Sequence, residues 1–235
     1  MCGRSSLTKS EKELEARFKA TFYSEELEKY NPLPNYNVAP THVMPAITNK
    51  DPTHFSPLRW GLIPFWAKDI KIGYKMINAR IESVMEKSAF KYAIEKRRCL
   101  VPMDGYYEWS KKGNKKTPFR IVTTDQDIFC LAGLWENWKS PDGQLIRSYT
   151  VLTQEPSETI AHIHDRMPAI LTRDQENLWL DDTIPPEDAL GIISPYPNEH
   201  IKAYEVSSRV GKVSENDAQL IAPVEPGPKG QGSLF

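Results

Sequence analysis

A cysteine at position 2 is the residue of this chain with the most distinctive chemistry. If Met1 is removed, Cys2 carries a free α-amine and a thiol on adjacent carbons. Reference pKa values of about 8 for the amine and about 8.5 for the thiol leave a usable fraction of each group nucleophilic near neutral pH. Both groups can add to one aldehyde, and the second, intramolecular step closes a five-membered thiazolidine ring. The alternative is a small hydrophobic residue at a frayed terminus.

Titratable residues further along the chain suggest proton transfer rather than metal binding. Glu108 lies between aromatic residues, and partial desolvation there would raise its pKa and suit a proton-transfer role. A surface glutamate on an alternating strand is the alternative interpretation. His162 and His164 lie two positions apart with no obvious third ligand nearby. The sequence therefore predicts neither a metal site nor a cofactor.

Aromatic residues beside a cation form a candidate nucleic-acid platform. Phe65 and Trp66 follow a proline and precede Lys68. Such a group can stack on unpaired bases. The edge of a hydrophobic core is an equally good explanation.

Hydrophobic periodicity predicts a mixture of short strands and helices. Helices are expected over 8–20, where capping boxes occur, over 76–98, and from Thr172 and Pro185 onward. Residues 30–41 read as a proline-rich loop. Strands are expected near 58–63, 99–109 with a bend at Asp104, 118–123, 127–135, 147–153 and 202–206.

Composition is that of a soluble globular protein in a reducing compartment. Of 235 residues, 40% are hydrophobic and 26% are charged, and no apolar run is long enough for a membrane helix. The three cysteines, Cys2, Cys99 and Cys130, do not suggest a disulfide framework. The net charge of −1 means that any basic surface must be local. We therefore expect a cytoplasmic protein with no membrane partner.

Seven motifs together resemble one known family. In chain order they are Met1-Cys2-Gly3-Arg4, Tyr36-Asn37-Val38-Ala39-Pro40-Thr41, Trp60-Gly61-Leu62-Ile63-Pro64, Asn78-Ala79-Arg80-Ile81-Glu82, Arg97-Arg98-Cys99-Leu100-Val101-Pro102, Gly105-Tyr106-Tyr107-Glu108-Trp109 and His164-Asp165-Arg166-Met167-Pro168. The ordered set, over about residues 2–210, resembles the SRAP (SOS response-associated peptidase) family of abasic-site processing proteins. The resemblance implies an α+β fold: a single domain, expected over 1–222, on a strongly bent, barrel-like antiparallel β-sheet with peripheral helices.

The resemblance also implies a function in the DNA damage response. Family members sense abasic sites in single-stranded DNA and shield them through a covalent thiazolidine crosslink. By this resemblance Cys2 would be the nucleophile, and Asn78 would position it by hydrogen bonding. Glu108 would shuttle a proton, and His164 would polarise the sugar oxygen.

The DNA-binding residues are carried over from the same motifs. Arg80 and Arg166 would hold the phosphates that flank the lesion, with Arg4 as a further candidate. Trp66, together with Phe65, would stack against neighbouring bases. Ala67 stands where the family pattern would have a second tryptophan.

Two other functions use some of the same residues. The family name implies peptidase (hydrolase) activity that removes Met1, although a host aminopeptidase could do the same, and lyase-like activity is a further expectation. A cysteine-dependent (auto)peptidase acting on protein is therefore the alternative function. A non-covalent reader of single-stranded or modified DNA, in which Cys2 has no chemical role, is the third hypothesis.

The last residues have a different composition. Residues 223–235 are rich in proline and glycine and are expected to form a flexible tail. Its end, 231–235, resembles a short motif by which bacterial proteins dock to the replicative sliding clamp. Leu234 and Phe235 would enter an apolar groove while Gln231 hydrogen-bonds at its rim. The protein would then be associated with the nucleoid when acting on DNA.

Overall fold

The computed structural model describes residues 2–224 of the chain. The strands are β1 (Ser5–Leu7), β2 (Thr21–Phe22), β3 (Asn35–Val38), β4 (Val43–Thr48), β5 (Asp51–Trp60), β6 (Asn78–Arg80), β7 (Arg98–Met103), β8 (Gly105–Lys112), β9 (Lys115–Thr123), β10 (Phe129–Lys139), β11 (Leu145–Gln154), β12 (Met167–Pro168), β13 (Ile170–Leu171) and β14 (Ile201–Glu205). The α-helices are α1 (Glu11–Phe18), α2 (Lys91–Lys96), α3 (Arg173–Leu180) and α4 (Pro186–Ile192). Short 3₁₀ helices connect them, including Ile70–Lys75 and Ile81–Ser83.

A closed barrel lies at the centre of the fold. Strands β5, β4, β7, β10 and β11 pair in that order and are antiparallel. Parallel pairing of β11 with β5 closes the ring, where Trp60 and Tyr149 stack with ring centroids 6.1 Å apart. The predicted α+β fold on a barrel-like sheet is confirmed. The parallel seam makes the sheet mixed rather than wholly antiparallel.

A second sheet carries the N-terminal segment. Its strand order is β14-β9-β8-β1-β3, so β1 lies between β8 and β3. Ser5 pairs with Tyr106, and the Tyr107 amide donates to the Arg4 carbonyl over 2.9 Å. This pairing fixes the first residues of the chain beside β8, which carries Glu108.

The barrel interior is closely packed. Apolar side chains from every barrel strand are fully buried, among them Phe55, Leu131 and Val151. Cys99 and Cys130 are also buried there, in agreement with the sequence analysis. At Gly133 on β10 an added Cβ would lie 2.8 Å from Val101 and 2.9 Å from the Cys99 sulfur. A side chain at this position would therefore push β10 away from β7.

Several sequence predictions are confirmed and two are wrong. Capping boxes begin α1 at Ser10 and α3 at Thr172, and the β7–β8 break falls at Asp104. The predicted helix over 76–98 is wrong, because its start is strand β6, paired with β11, and only α2 is α-helical. The predicted loop over 30–41 contains β3. In both cases pairing with a distant strand outweighs local preference.

The end of the chain is described only in part. Pro223 forms a β-bridge with Val206, and the Val224 amide donates to the Glu205 carbonyl. The predicted clamp motif at 231–235 lies outside the described residues. Within residues 2–224, no helix has the length and apolar character needed to cross a membrane.

Candidate active site

Cys2 is buried at the junction of the two sheets. Its side chain has no exposed surface, and its sulfur lies 3.9 Å from the Arg4 carbonyl oxygen. Burial raises the pKa of the Cys2 thiol, and the negative charge of Glu108 raises that pKa further. The thiol is therefore protonated at neutral pH and is a poor nucleophile until a proton acceptor is provided.

Asn78 holds the backbone of Cys2. Parallel pairing places Asn78 opposite Val151, so the position of this amide is set by the barrel strand β11. The Asn78 Nδ2 group donates a hydrogen bond of 2.7 Å to the Cys2 carbonyl oxygen. Since a short strand rather than a loop carries Asn78, the hydrogen bond has a rigid support.

Glu108 faces the same site from β8. Its side chain is only 3% exposed. Burial raises the pKa of the Glu108 carboxyl group, and the charge of His164 partly opposes this rise. A carboxyl group whose pKa is raised towards neutrality can both donate and accept a proton in one reaction cycle.

His164 approaches Glu108 from the segment after β11. Its Nε2 atom lies 3.9 Å from Glu108 Oε2. Its Nδ1 atom lies 3.0 Å from the Arg166 backbone nitrogen and 2.9 Å from the Asp165 carboxylate, contacts that orient the ring. The imidazole side chain is partly exposed, so it lies between the buried Glu108 and the solvent.

Tyr106 is a site residue that the sequence analysis missed. It lies two positions before Glu108 on β8 and therefore shares its face of the strand. Burial, followed by the charges of Cys2 and Glu108, raises the pKa of the Tyr106 hydroxyl. This buried hydroxyl has no hydrogen-bond partner among residues 2–224. An aromatic residue before Glu108 was visible in the sequence, but its proximity to Cys2 depends on the pairing of β1 with β8.

The three predicted phosphate ligands differ in their surroundings. Arg80 is exposed at the end of β6. Arg166 is 8% exposed and donates two hydrogen bonds to Glu82, of 2.7 and 2.9 Å, and one to the Thr153 carbonyl. Arg4 donates to the Asn37 side chain and to backbone carbonyls of the 3₁₀ helix Ser208–Gly211. Only Arg80 of the three is open to a ligand without rearrangement.

Phe65 and Trp66 lie on an exposed segment between β5 and β6. They are 55% and 47% exposed, so the structure does not bury them in a core edge. Phe65 makes an edge-to-face contact with Tyr92, and the Ala67 carbonyl accepts a hydrogen bond from the Trp138 indole. These contacts fix the base of the segment and leave Trp66 projecting.

The same segment carries further cations and one more aromatic ring. Its exposed members are Lys68, Lys71, Tyr74 and Lys75. The segment is anchored where Gly61, with φ of +114°, meets Gly73. A Cβ on Gly61 would lie 2.6 Å from the Gly73 carbonyl oxygen, so two glycines are needed for this approach.

A bent barrel with a buried N-terminal cysteine, a supporting asparagine and a Glu–His pair defines one class of protein. The family model described as SOS response associated peptidase (SRAP) matches residues 1–213. The chain belongs to this family.

Relatives in bacteria and vertebrates have similar sequences over most of their length. The abasic site processing protein YoqW of Bacillus subtilis is 40% identical over 224 residues, covering 94% of this chain and 99% of that protein. YoaM, with the same description and from the same organism, is 44% identical over 80% of this chain and 84% of its own. Abasic site processing protein HMCES of Xenopus tropicalis is 34% identical over 84% of this chain and 68% of its own.

A solved structure has the same fold. A crystal structure of a protein from Bacteroides thetaiotaomicron superposes with a TM-score of 0.88 at 28% sequence identity. The match covers 95% of this chain and 100% of that one.

Proposed function

We propose that this protein processes abasic sites in single-stranded DNA by forming a covalent crosslink through Cys2. The relatives described above are abasic site processing proteins by name, and their matches cover 80% to 94% of this chain. The observation that carries the proposal is the hydrogen bond from Asn78 to the Cys2 carbonyl, made beside the pair formed by the buried Glu108 and the partly exposed His164. This arrangement combines a fixed nucleophile with an acid–base pair.

The proposed reaction joins three functional groups and releases one water. Loss of Met1 first turns the Cys2 amide nitrogen into a free amine. The amine adds to the aldehyde carbon of the ring-opened sugar, and the adduct loses water to give an imine. The thiol then adds to the imine carbon, and its proton passes to the nitrogen. The product is a thiazolidine.

The order of attack follows from burial of the thiol. Because its pKa is raised, the Cys2 thiol is a weak nucleophile towards a free aldehyde. Once the imine has formed, the thiol lies three bonds from the imine nitrogen and the addition is intramolecular. Amine first and thiol second is therefore the order that the environment of Cys2 favours.

Glu108 and His164 have separate tasks in this proposal. The negative charge of Glu108 raises the pKa of the Cys2 thiol, and in this proposal Glu108 removes a proton from the amine and returns it to the leaving hydroxyl. His164 is partly exposed and faces Glu108, which suits it to donate to the sugar ring oxygen during ring opening. Their separation of 3.9 Å allows a proton to pass between them through small movements or one water.

The DNA strand would run along the exposed segment between β5 and β6. Trp66 and Phe65 offer stacking surfaces for bases, and Arg80 offers a phosphate contact next to Asn78. The lysines of the segment give a local basic surface on a chain of net charge −1. This surface supports a nucleic-acid substrate over a peptide.

Removal of Met1 is the one peptidase step that this proposal needs, and either the site itself or a host aminopeptidase could perform it. The wider alternative, a cysteine peptidase acting on proteins, receives less support. Such an enzyme needs a thiolate, whereas burial and Glu108 both raise the pKa of the Cys2 thiol.

Intact-mass spectrometry tests the proposed chemistry. Protein lacking Met1 is mixed with a single-stranded oligonucleotide that carries one abasic site. The expected product has the summed mass of the two reactants less one water, and it forms without a reductant. Cys2→Ser keeps the amine but not the thiol, so its adduct should survive denaturation only after borohydride reduction. A stable unreduced adduct with Cys2→Ser would overturn the thiazolidine step.

We also infer the setting in which the protein acts. The body, expected over residues 1–222, would react with DNA in the cytoplasm, at the nucleoid. The tail from 223 would act as a tether through Gln231, Leu234 and Phe235 to the sliding clamp.

A further inference from the structure

A cavity with a mixed polar and apolar lining lies where β11 ends. Its volume is about 400 Å³. Its walls come from the 3₁₀ helix Ile81–Ser83, the end of β11 with the residues that follow, strand β12 and the segment after α4. The residues that matter here are Glu82, Gln154, Ser157, Met167, Ile193 and Pro195.

Two polar groups in this cavity are buried without partners. Gln154 is 6% exposed and Ser157 is 9% exposed. Gln154 Nε2 and the Ser157 hydroxyl make no hydrogen bond to any other described residue. Buried donors without a partner are costly and uncommon in folded proteins. Both residues line the cavity, so a ligand seated there can supply the missing partners once the two side chains turn towards it.

The cavity is a short distance from the reacting sugar. Val151 pairs with Asn78, which holds Cys2, and Gln154 lies three residues further along the same strand. Three residues of strand span about 10 Å. Arg80, the exposed arginine, pairs with Thr153 directly before Gln154. Gln154 points to the opposite face of β11 from Val151 and Thr153, so a neighbouring base would enter the cavity around the end of the strand while its phosphate remains near Arg80.

The chemistry of the walls favours an uncharged, flat ligand. The exposed Glu155 carboxylate lies at the cavity and opposes a phosphate, whereas the Glu82 carboxylate there is already paired with Arg166. Met167, Ile193 and Pro195 supply apolar surface for a ring. A glutamine amide can hydrogen-bond to a nucleobase edge in two places, and bases held outside a stack are read by such contacts. An unpaired nucleobase fits this combination.

We propose that this cavity binds the nucleobase next to the abasic site, with Gln154 and Ser157 donating hydrogen bonds to its ring nitrogen or carbonyl acceptors. The inference rests on the proposed function and adds a base-binding subsite to it. The protein then binds one flanking base in addition to the phosphates. The rate of reaction at Cys2 therefore depends on whether a base is present next to the abasic site.

A binding cycle tests this subsite with the full-length protein. Fluorescence anisotropy measures binding to three single-stranded oligonucleotides, each carrying one unreactive tetrahydrofuran abasic analogue. The first keeps both neighbouring bases. In the second and third, the base on the 5′ or the 3′ side is replaced by a further tetrahydrofuran analogue. Removing the base on one side should weaken binding to the wild type about tenfold. Gln154→Leu should lose most of that difference, and Ser157→Ala part of it.

The control is Gln144→Leu, at the exposed residue directly before the first residue of β11. It should retain the full difference. Equal binding with and without either neighbouring base, or an undiminished difference in both Gln154→Leu and Ser157→Ala, would overturn the subsite. Crosslinking of a natural abasic oligonucleotide is measured in parallel. If the crosslink forms, only the subsite is wrong; if it does not, the proposed function is wrong as well.

Discussion

At the scale of single residues, the buried Glu108 carboxyl group links stability to function. A group whose pKa is raised in the folded state destabilises that state when it is ionised. Below its ordinary pKa, Glu108 is protonated in both the folded and unfolded states, so this destabilisation disappears. As pH rises above the ordinary pKa, the unfolded state loses its proton first and the destabilisation grows, reaching its full value above the folded-state pKa. The buried carboxyl group is kept at a cost to stability that a reactive role would explain.

Replacing Glu108 by glutamine should therefore separate the two properties. We expect Glu108→Gln to have a higher melting temperature than the wild type at pH 7, and a nearly equal one at pH 4. Crosslink formation should fall by about two orders of magnitude, the range of general acid–base catalysis. Melting curves and single-turnover crosslinking measure the two effects. A variant that is less stable at pH 7 and equally reactive would show that Glu108 is only structural.

Asn78 should increase the rate of crosslinking by holding the backbone of Cys2 in position. Losing its 2.7 Å hydrogen bond to the Cys2 carbonyl leaves the nucleophile less well oriented. A hydrogen bond of this kind contributes about 1–1.5 kcal/mol, so we expect Asn78→Ala to slow crosslinking about tenfold. Asn177→Ala, at an exposed position on α3, should leave the rate unchanged. Equal rates for the two variants would contradict the positioning role.

At the scale of elements, the segment between β5 and β6 depends on the contact between two glycines. Gly61→Ala would add a Cβ 2.6 Å from the Gly73 carbonyl oxygen at a φ of +114°. We expect a loss of about 2 kcal/mol in the free energy of unfolding, measured by urea denaturation. DNA affinity should also fall, because Trp66 lies on this segment.

The control for that variant is Gly191→Ala on α4. A Cβ there would meet nothing within 4 Å, and alanine is the better helix former. This variant should be slightly more stable than the wild type and should bind DNA equally well. A Gly61→Ala protein as stable as Gly191→Ala would contradict the close approach.

The elements also show what the sequence could and could not predict. Capping boxes and alternating strands depend on neighbours in the chain, and these predictions were correct for α1, α3 and β8 to β11. Strand β6 was predicted as a helix because its pairing with β11 joins residues more than seventy positions apart. The sequence motifs were sufficient to single out Cys2, Asn78, Glu108 and His164, and in the folded chain these four residues lie close to one another. The proximity of Tyr106 to Cys2 and Glu108, and the Arg166–Glu82 pair, follow only from the folded chain.

At the scale of the whole molecule, the body and the tail should have separable functions. Deleting residues 231–235 should abolish retention on an immobilised sliding clamp, since Leu234 and Phe235 are the proposed apolar anchors. Crosslinking to free oligonucleotides should be unchanged. Retention of the truncated protein, or no retention of the full chain, would show that the tail is not a clamp ligand.

The covalent use of Cys2 is the centre of this account. Protein shown by mass spectrometry to lack Met1 is incubated with an oligonucleotide carrying one abasic site and run on a denaturing gel. The wild type and Cys130→Ala, which removes a different buried cysteine, should give a shifted band that resists denaturation. Cys2→Ala should give none. A band with Cys2→Ala as strong as that of the wild type would contradict the account directly.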